Sequence, residues 1–123
     1  MTIQRQNLGK TGEDIAAREL ERRGYAILAR RYRTRYGEID IVARDGETTV
    51  FVEVKARVSD EFGSAAEAVT RPKQRRLAYM ASDYLARNQL SKAPSRFDVV
   101  AIDGAGGPTE VVTVYAHAFD SCV

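Results

Sequence analysis

Two short apolar runs constrain this chain more than anything else in it, because each is interrupted by a single carboxylate. Glu38 to Arg44 and Thr49 to Arg57 both read as strands, bounded by Tyr36-Gly37 before the first and Asp45-Gly46 between them. In the second, Val50, Val52 and Val54 share one face while Phe51, Glu53 and Lys55 share the other. Asp40 lies between Ile39 and Ile41, and Glu53 between Val52 and Val54. A carboxylate in an apolar strand is costly to desolvate unless something pairs with it.

Register decides how the two acids relate. A four-residue turn over 45–48 pairs Arg44 with Thr49 and puts Asp40 directly opposite Glu53, with Cβ atoms about 5 Å apart. A two-residue Asp45-Gly46 turn sets Asp40 opposite Phe51, still on Glu53's face, and only an unbulged three-residue turn separates the acids. Two carboxylates that close repel, so one takes up a proton or a cation sits between them. Oxygen ligands of this kind suit a hard divalent ion, and Mg²⁺ typically takes one or two carboxylates plus waters and substrate phosphate. Lys55 follows Glu53 by two and projects from the same face about 6.5 Å along the strand. An ammonium there can stabilise charge building on a phosphate. The competing reading is a structural Asp40–Lys55 or Glu53–Lys55 ion pair on a solvated face.

The rest of the chain supplies the frame. Thr11-Gly12-Glu13-Asp14 has the form of a capping box, which predicts a helix from about Gly12 to Arg23 with Gly24 as its C-cap. Tyr25 to Tyr32 reads as a strand. Pro72 opens a second helix whose Leu77, Met80, Ala81, Tyr84 and Leu85 line one face, with Tyr79 and Tyr84 read as core. Ser64 to Val69 is a candidate helical turn, Ser59 to Ala66 a candidate loop over the site, and Asn88 to Ser95 a loop. Phe97 to Ile102 and Glu110 to Tyr115 make two further strands, joined by the turn-rich Gly104 to Pro108. The order α-β-β-β-α-β-β predicts an α/β fold in which a meander is followed by a crossover helix and a strand parallel to the third. With 123 residues and no repeat or linker, 1–123 reads as a single domain.

Several function classes fall away. No apolar run approaches the roughly 20 residues of a membrane span, and Met1 to Gln6 has no apolar signal core, so a soluble, cytoplasmic protein is expected. The single Cys122 excludes an internal disulfide framework and a Cys-based zinc cluster. His117 is the one histidine and lies near the tail, which argues against a triad. Gly104, Gly106 and Gly107 precede no helix and make an ordinary loop. Asp98 is read as structural, a turn acid or a partner for Arg96.

Charge distribution points to nucleic acid. Net charge is only +2, but 15 of the 19 basic residues are Arg and six of those fall between Arg22 and Arg35. Arg30-Arg31-Tyr32-Arg33-Thr34-Arg35-Tyr36 interleaves guanidiniums with aromatics. Phosphate contact by Arg30, Arg31, Arg33 and Arg35 with base stacking fits this stretch. So does a solvated edge strand protected by charge.

Taken together, Gly12-Glu13-x-x-Ala16, Gly24-Tyr25, Gly37-Glu38-Ile39-Asp40, Phe51-Val52-Glu53-Val54-Lys55, Lys73 and Arg96-Phe97-Asp98 resemble the YraN-like family of bacterial proteins over nearly the full chain. That family is similar to the PD-(D/E)xK nucleases, especially archaeal-type Holliday junction resolvases. The resemblance implies a restriction-endonuclease-like αβββαβ core, a mixed sheet flanked by helices. It implies Glu13 as the acid of the first helix, Asp40 as the metal-binding Asp, and Glu53 and Lys55 as the Glu-x-Lys pair. Lys73 or Gln74 would be the auxiliary polar residue opening the second helix, in contact with nucleic acid. Ile39 stands where the nominal motif has Pro, and Gln74 and Tyr79 are one residue too far apart for the Gln-x-x-x-Tyr pattern of the RecB-like branch. The expected activity is Mg²⁺- or Mn²⁺-dependent endonucleolytic cleavage of structured or branched DNA. Asp40, Glu53, the Val54 carbonyl and Glu13 would supply the metal site, and Lys55 would position or activate the attacking water. The alternative is a non-cleaving nucleic-acid-binding module of the same fold in a DNA repair or processing complex. A resolvase cuts two strands symmetrically, for which a homodimer is natural.

Overall fold

Strand order follows chain order. The computed structural model describes residues 2–57 and 69–120. Its elements are α1 (Thr2–Arg22), β1 (Ala26–Thr34), β2 (Gly37–Asp45), β3 (Thr48–Arg57), α2 (Arg71–Arg87), β4 (Ser95–Asp103) and β5 (Val111–Phe119). The strands form one sheet in the order β1-β2-β3-β4-β5, antiparallel throughout except for the parallel pair β3–β4 that the α2 crossover creates. This is an α/β fold with a five-stranded mixed sheet and two helices, consistent with the restriction-endonuclease-like core that the motifs imply.

The two helices cover opposite faces. Ala16, Ala17 and Leu20 of α1 pack on Ile41, Ala43, Val50, Val52, Val100 and Ile102. Leu77, Met80, Ala81 and Tyr84 of α2 pack on Val42, Phe51, Phe97 and Val99. A sheet covered on both faces needs apolar residues at successive positions, which is why β2 and β3 read as nearly unbroken apolar runs. It also makes Asp40 and Glu53 conspicuous.

The β2–β3 hairpin settles the register. Arg44 pairs with Thr49 and Asp45 with Thr48, closing a tight turn over Gly46–Glu47 in which Gly46 takes φ +61°. One pair beyond the last ladder partners, Ile41 and Val52, Asp40 stands opposite Glu53. The first of the three registers is therefore the one adopted.

Three expectations need correction. Helix α1 starts at Thr2, so Thr11-Gly12-Glu13-Asp14 lies inside it and caps nothing. Gly12 is instead a packing glycine: a Cβ there would sit 3.0 Å from the Ala56 Cβ, so it lets α1 approach β3 closely. Strand β5 extends past Tyr115 to Phe119, because a bulge lets Val99 pair with Tyr115 while Phe97 pairs with Phe119. Tyr79 is not core but 47% exposed; two residues from Leu77 is about 200° around the helix, on the far side from the sheet. The candidate loop over 59–66 and the turn from Ser64 onward, up to the buried Val69, lie outside the described residues.

Candidate active site

Strands β2 and β3 are laddered from Asp45–Thr48 up to Ile41–Val52 and then part. At that fork the Asp40 carboxylate takes over the acceptor role of the missing ladder carbonyl: the Val54 N–H donates to Asp40 Oδ2 at 2.8 Å. The N–H and C=O of one extended residue lie on the same side of its strand, so the Val54 carbonyl faces the same gap. Glu53, 7% exposed, points to the α2 side, where the Lys73 ammonium meets it at 3.1 Å. Lys55 projects from that face two residues further on. The fork thus gathers two carboxylates, a main-chain carbonyl and two lysines.

Electrostatics record the crowding. Burial, then the adjacent Glu53 carboxylate, push Asp40 up to about 7. Burial lowers Lys55, and the neighbouring Lys73 ammonium lowers it further. For Lys73 burial also acts downward, but the Glu53 carboxylate outweighs it and the net shift is up. Near neutrality the pair of acids therefore holds a proton as well as the Lys73 charge. This is the signature of a site with more acid than its own cations balance comfortably. The donors are all hard oxygens. Among the described residues no three His, Cys, Asp or Glu side chains gather to hold a metal. Two carboxylates and a carbonyl are nevertheless the protein share of a typical Mg²⁺ site, the remainder being water and phosphate.

Glu13 reaches this neighbourhood from α1 and adds a small upward push on Asp40. Its carboxylate is held by its own cation: Arg31 Nε donates to both oxygens, at 3.0 and 3.2 Å. Arg31 adopts φ +53° midway between the pairs Arg30–Ile41 and Tyr32–Ile39, opposite Asp40. A left-handed arginine in a strand is strained, on the order of 1 kcal/mol or more, and such strain concentrates at functional sites.

The four arginines of β1 and its turn divide. Arg30 bonds Asp14 at 2.7 Å and Arg31 bonds Glu13, so both are turned toward α1. Arg33 makes a surface pair with Glu38 at 2.8 Å, its side chain 81% exposed. Arg35 lies over the Tyr36 ring, 5.0 Å from its centroid, and donates to the Tyr36 hydroxyl at 2.8 Å. Gln74 donates to the Val69 carbonyl at 3.0 Å and ties down the start of α2. Of the two candidates at that helix start, Lys73 is the one brought to the acids.

Sequence reasoning passes over Arg75 and Arg76 and assigns Tyr79 to the core. The signal is the run Arg71-Pro72-Lys73-Gln74-Arg75-Arg76, which places four cations and no acid at the start of α2. Cations at a helix N-terminus oppose the macrodipole. Asp98, by contrast, stands on β4 in register with Val52, one residue from Glu53, but its carboxylate belongs to a different cluster. It is fully buried and accepts from Arg96 Nε at 3.0 Å, the Tyr25 hydroxyl at 3.1 Å and the His117 N–H at 2.9 Å. That cluster is structural and fastens the β5 bulge and the end of α1 to β4.

Comparison with known proteins places the chain. Residues 12–102 match the model of uncharacterised protein family UPF0102. A UPF0102 protein of Desulfosudis oleivorans is 43% identical over 121 residues, covering 98% of this chain and 96% of that one. One from Syntrophotalea carbinolica is 48% identical over 120 residues, covering 98% and 97%. One from Symbiobacterium thermophilum is 52% identical over 96 residues, covering 78% and 81%. The matched span runs from the helix that carries Glu13 to the end of β4 and takes in every residue of the fork. The chain belongs to the UPF0102 family, the YraN-like family that its motifs resemble.

Proposed function

We propose that the chain is a divalent-metal-dependent endonuclease-like hydrolase acting on phosphodiester bonds in structured or branched DNA. One observation carries this reading: Asp40, Glu53, the Val54 carbonyl, Lys55 and Lys73 converge where β2 and β3 part. Asp40, Glu53 and the Val54 carbonyl are the groups that would hold Mg²⁺ or Mn²⁺, with Glu13 alongside. When bound, the ion would polarise the scissile phosphate and acidify the attacking water. The protein's part follows from its own groups. Asp40 would have to give up its proton to serve as a ligand. Lys55, on the same face as Glu53, would orient the attacking water and stabilise the charge that builds on the phosphate. Lys73, paired with Glu53 at 3.1 Å, would exchange that partner for the charge that builds on the phosphate.

The test is single-turnover cleavage of branched and duplex DNA with Mg²⁺ and with Mn²⁺. Lys55→Ala should lower the rate by roughly 10²–10³, the scale of losing one preorganised electrostatic group. Binding should fall by a single contact at most. Highly purified protein that binds but cuts none of these DNAs with either ion would overturn the enzyme reading. A non-cleaving binding module would then take its place, and one observation favours that module: Glu53 and Glu13 already have protein cations, Lys73 and Arg31.

A further inference from the structure

Beyond the fork, the hairpin end of β1–β2 and the outer face of α2 enclose an open concavity of about 670 Å³. Tyr36, Tyr79, Arg33, Arg35 and Arg87 line it. Its volume is in the range of roughly 300–1,000 Å³ that small-molecule sites occupy. The two tyrosines stack on each other with centroids 5.5 Å apart and planes 26° from parallel. Both stay wet, Tyr36 at 38% and Tyr79 at 47% exposure. Neither belongs to the core, so packing does not account for two large aromatics here. Three arginines surround them, and Arg35 already lies over one ring.

Lys73 relates the groove to the fork. A second concavity of about 210 Å³ shares Tyr36 and is lined by Lys73, Arg76 and Leu77, and the Lys73 ammonium is the one 3.1 Å from Glu53. Along α2, Tyr79 lies six positions after Lys73, about 9 Å of helix rise. We infer that the Tyr36–Tyr79 pair is a stacking platform for an unpaired nucleobase one or two nucleotides from the phosphate at the fork. The preferred DNA then carries single-stranded nucleotides beside a duplex. Arginines that pair with phosphate and stack on rings fit this occupant. The restriction to unpaired bases follows from geometry: inside a duplex both faces of every base are already stacked, so a tyrosine rewards only a base that has left the helix.

This inference rests on the nucleic-acid reading of the fork, and the experiment separates the two. Three DNAs with equal numbers of phosphates are compared: a blunt duplex, a fully paired four-way junction, and a duplex with a short single-stranded arm. Binding is followed by anisotropy in EDTA, and 2-aminopurine in the unpaired arm reports stacking by quenching. The protein should prefer the single-stranded arm by about ten-fold or more, the scale of one base–aromatic stack. Tyr79→Ala should bind all three DNAs alike and lose the quenching, while Tyr79→Phe keeps both. Equal wild-type affinity for the three DNAs would overturn the inference. So would a Tyr79→Ala loss of equal size on blunt duplex, or a failure to bind any DNA. A tyrosine-dependent preference without cleavage in Mg²⁺ or Mn²⁺ leaves the inference standing and removes the enzyme reading. Cleavage that ignores both tyrosines does the reverse.

Discussion

Replacing Asp40 by Asn tests the fork through its proton. In the folded chain Asp40 titrates at about 7 rather than at the ordinary 3.8, because burial and the Glu53 carboxylate both disfavour its charge. Between those values the folded state holds more protons than the unfolded state. Stability is therefore fully present below about pH 4 and is lost as pH rises toward 7. Roughly three pH units set a ceiling of about 4 kcal/mol. Partial exposure and the sharing of charge with Glu53 reduce it, and a change on the order of 2 kcal/mol is expected. The amide introduced by Asp40→Asn would not titrate. Its Oδ1 can keep the Val54 N–H bond, and its Nδ2 can donate to Glu53 as a protonated Asp40 does. The two proteins should thus be about equally stable at or below about pH 4 in EDTA, and Asp40→Asn the more stable near pH 8 by about 2 kcal/mol. Urea unfolding across this range reads the difference directly. Millimolar Mn²⁺ should then reverse the order at the higher pH, since binding to the folded state stabilises wild type by about 2.7 kcal/mol at a hundred times Kd. Parallel pH curves for the two proteins would refute the paired-acid argument, and equal Mn²⁺ responses would refute the ligand role.

Lys73→Gln leaves the buried Glu53 without its cation and should destabilise the metal-free protein by about 2 kcal/mol. It should also tighten Mn²⁺ binding several-fold in calorimetry, because a competing charge is gone; weaker binding would count against the exchange. Asp98→Ala strands Arg96, Tyr25 and the His117 N–H at a fully buried position and should cost about 3–5 kcal/mol in denaturant melts. DNA affinity measured well below its melting temperature should not change, and a lost affinity would move Asp98 into the binding surface. In salt titrations Arg33→Ala should lower the log–log slope on duplex DNA by about 0.9. Arg31→Ala should act mainly on stability through Glu13, and a slope change only for Arg31 would reverse that division.

The features legible in the chain have short-range causes. Alternating and β-branched residues mark β2, β3 and β4, Pro72 marks the start of α2, and one turn fixes the register that sets Asp40 opposite Glu53. The misread elements have tertiary causes. Gly12 looks like a helix start, and only the Ala56 Cβ on another element explains it. The bulge in β5 depends on Asp98, whose carboxylate accepts the His117 N–H, and no local pattern around Ala116-His117 encodes that. Tyr79 reads as core because aromatics on an amphipathic helix usually are core. Its angle from Leu77 is countable and points outward. The partner of Glu53 cannot be read from spacing: the Glu-x-Lys pattern proposes Lys55, whereas the crossover brings Lys73 into contact.

The charges at the fork suggest why that crossover partner exists. Without a metal, the two facing acids are offset by the proton on Asp40 and by the Lys73 ammonium on Glu53, two positive charges in all. A divalent ion brings the same two. Under the proposed function its arrival can release both and leave the fork's net charge unchanged, so the buried acids are never left uncompensated at the large desolvation cost that would entail. The released ammonium is also the useful one. Lys73 lies between the fork and the Tyr36 groove, where a phosphate linking a seated base to the cleavage point would pass. One side chain can then neutralise Glu53 in the metal-free protein and meet the DNA backbone in the loaded one. Beside it Arg71, Arg75 and Arg76 oppose the preference of a helix start for acids. The pair with Glu53 accounts for Lys73 but not for the three arginines, whereas an anionic partner arriving along α2 accounts for them.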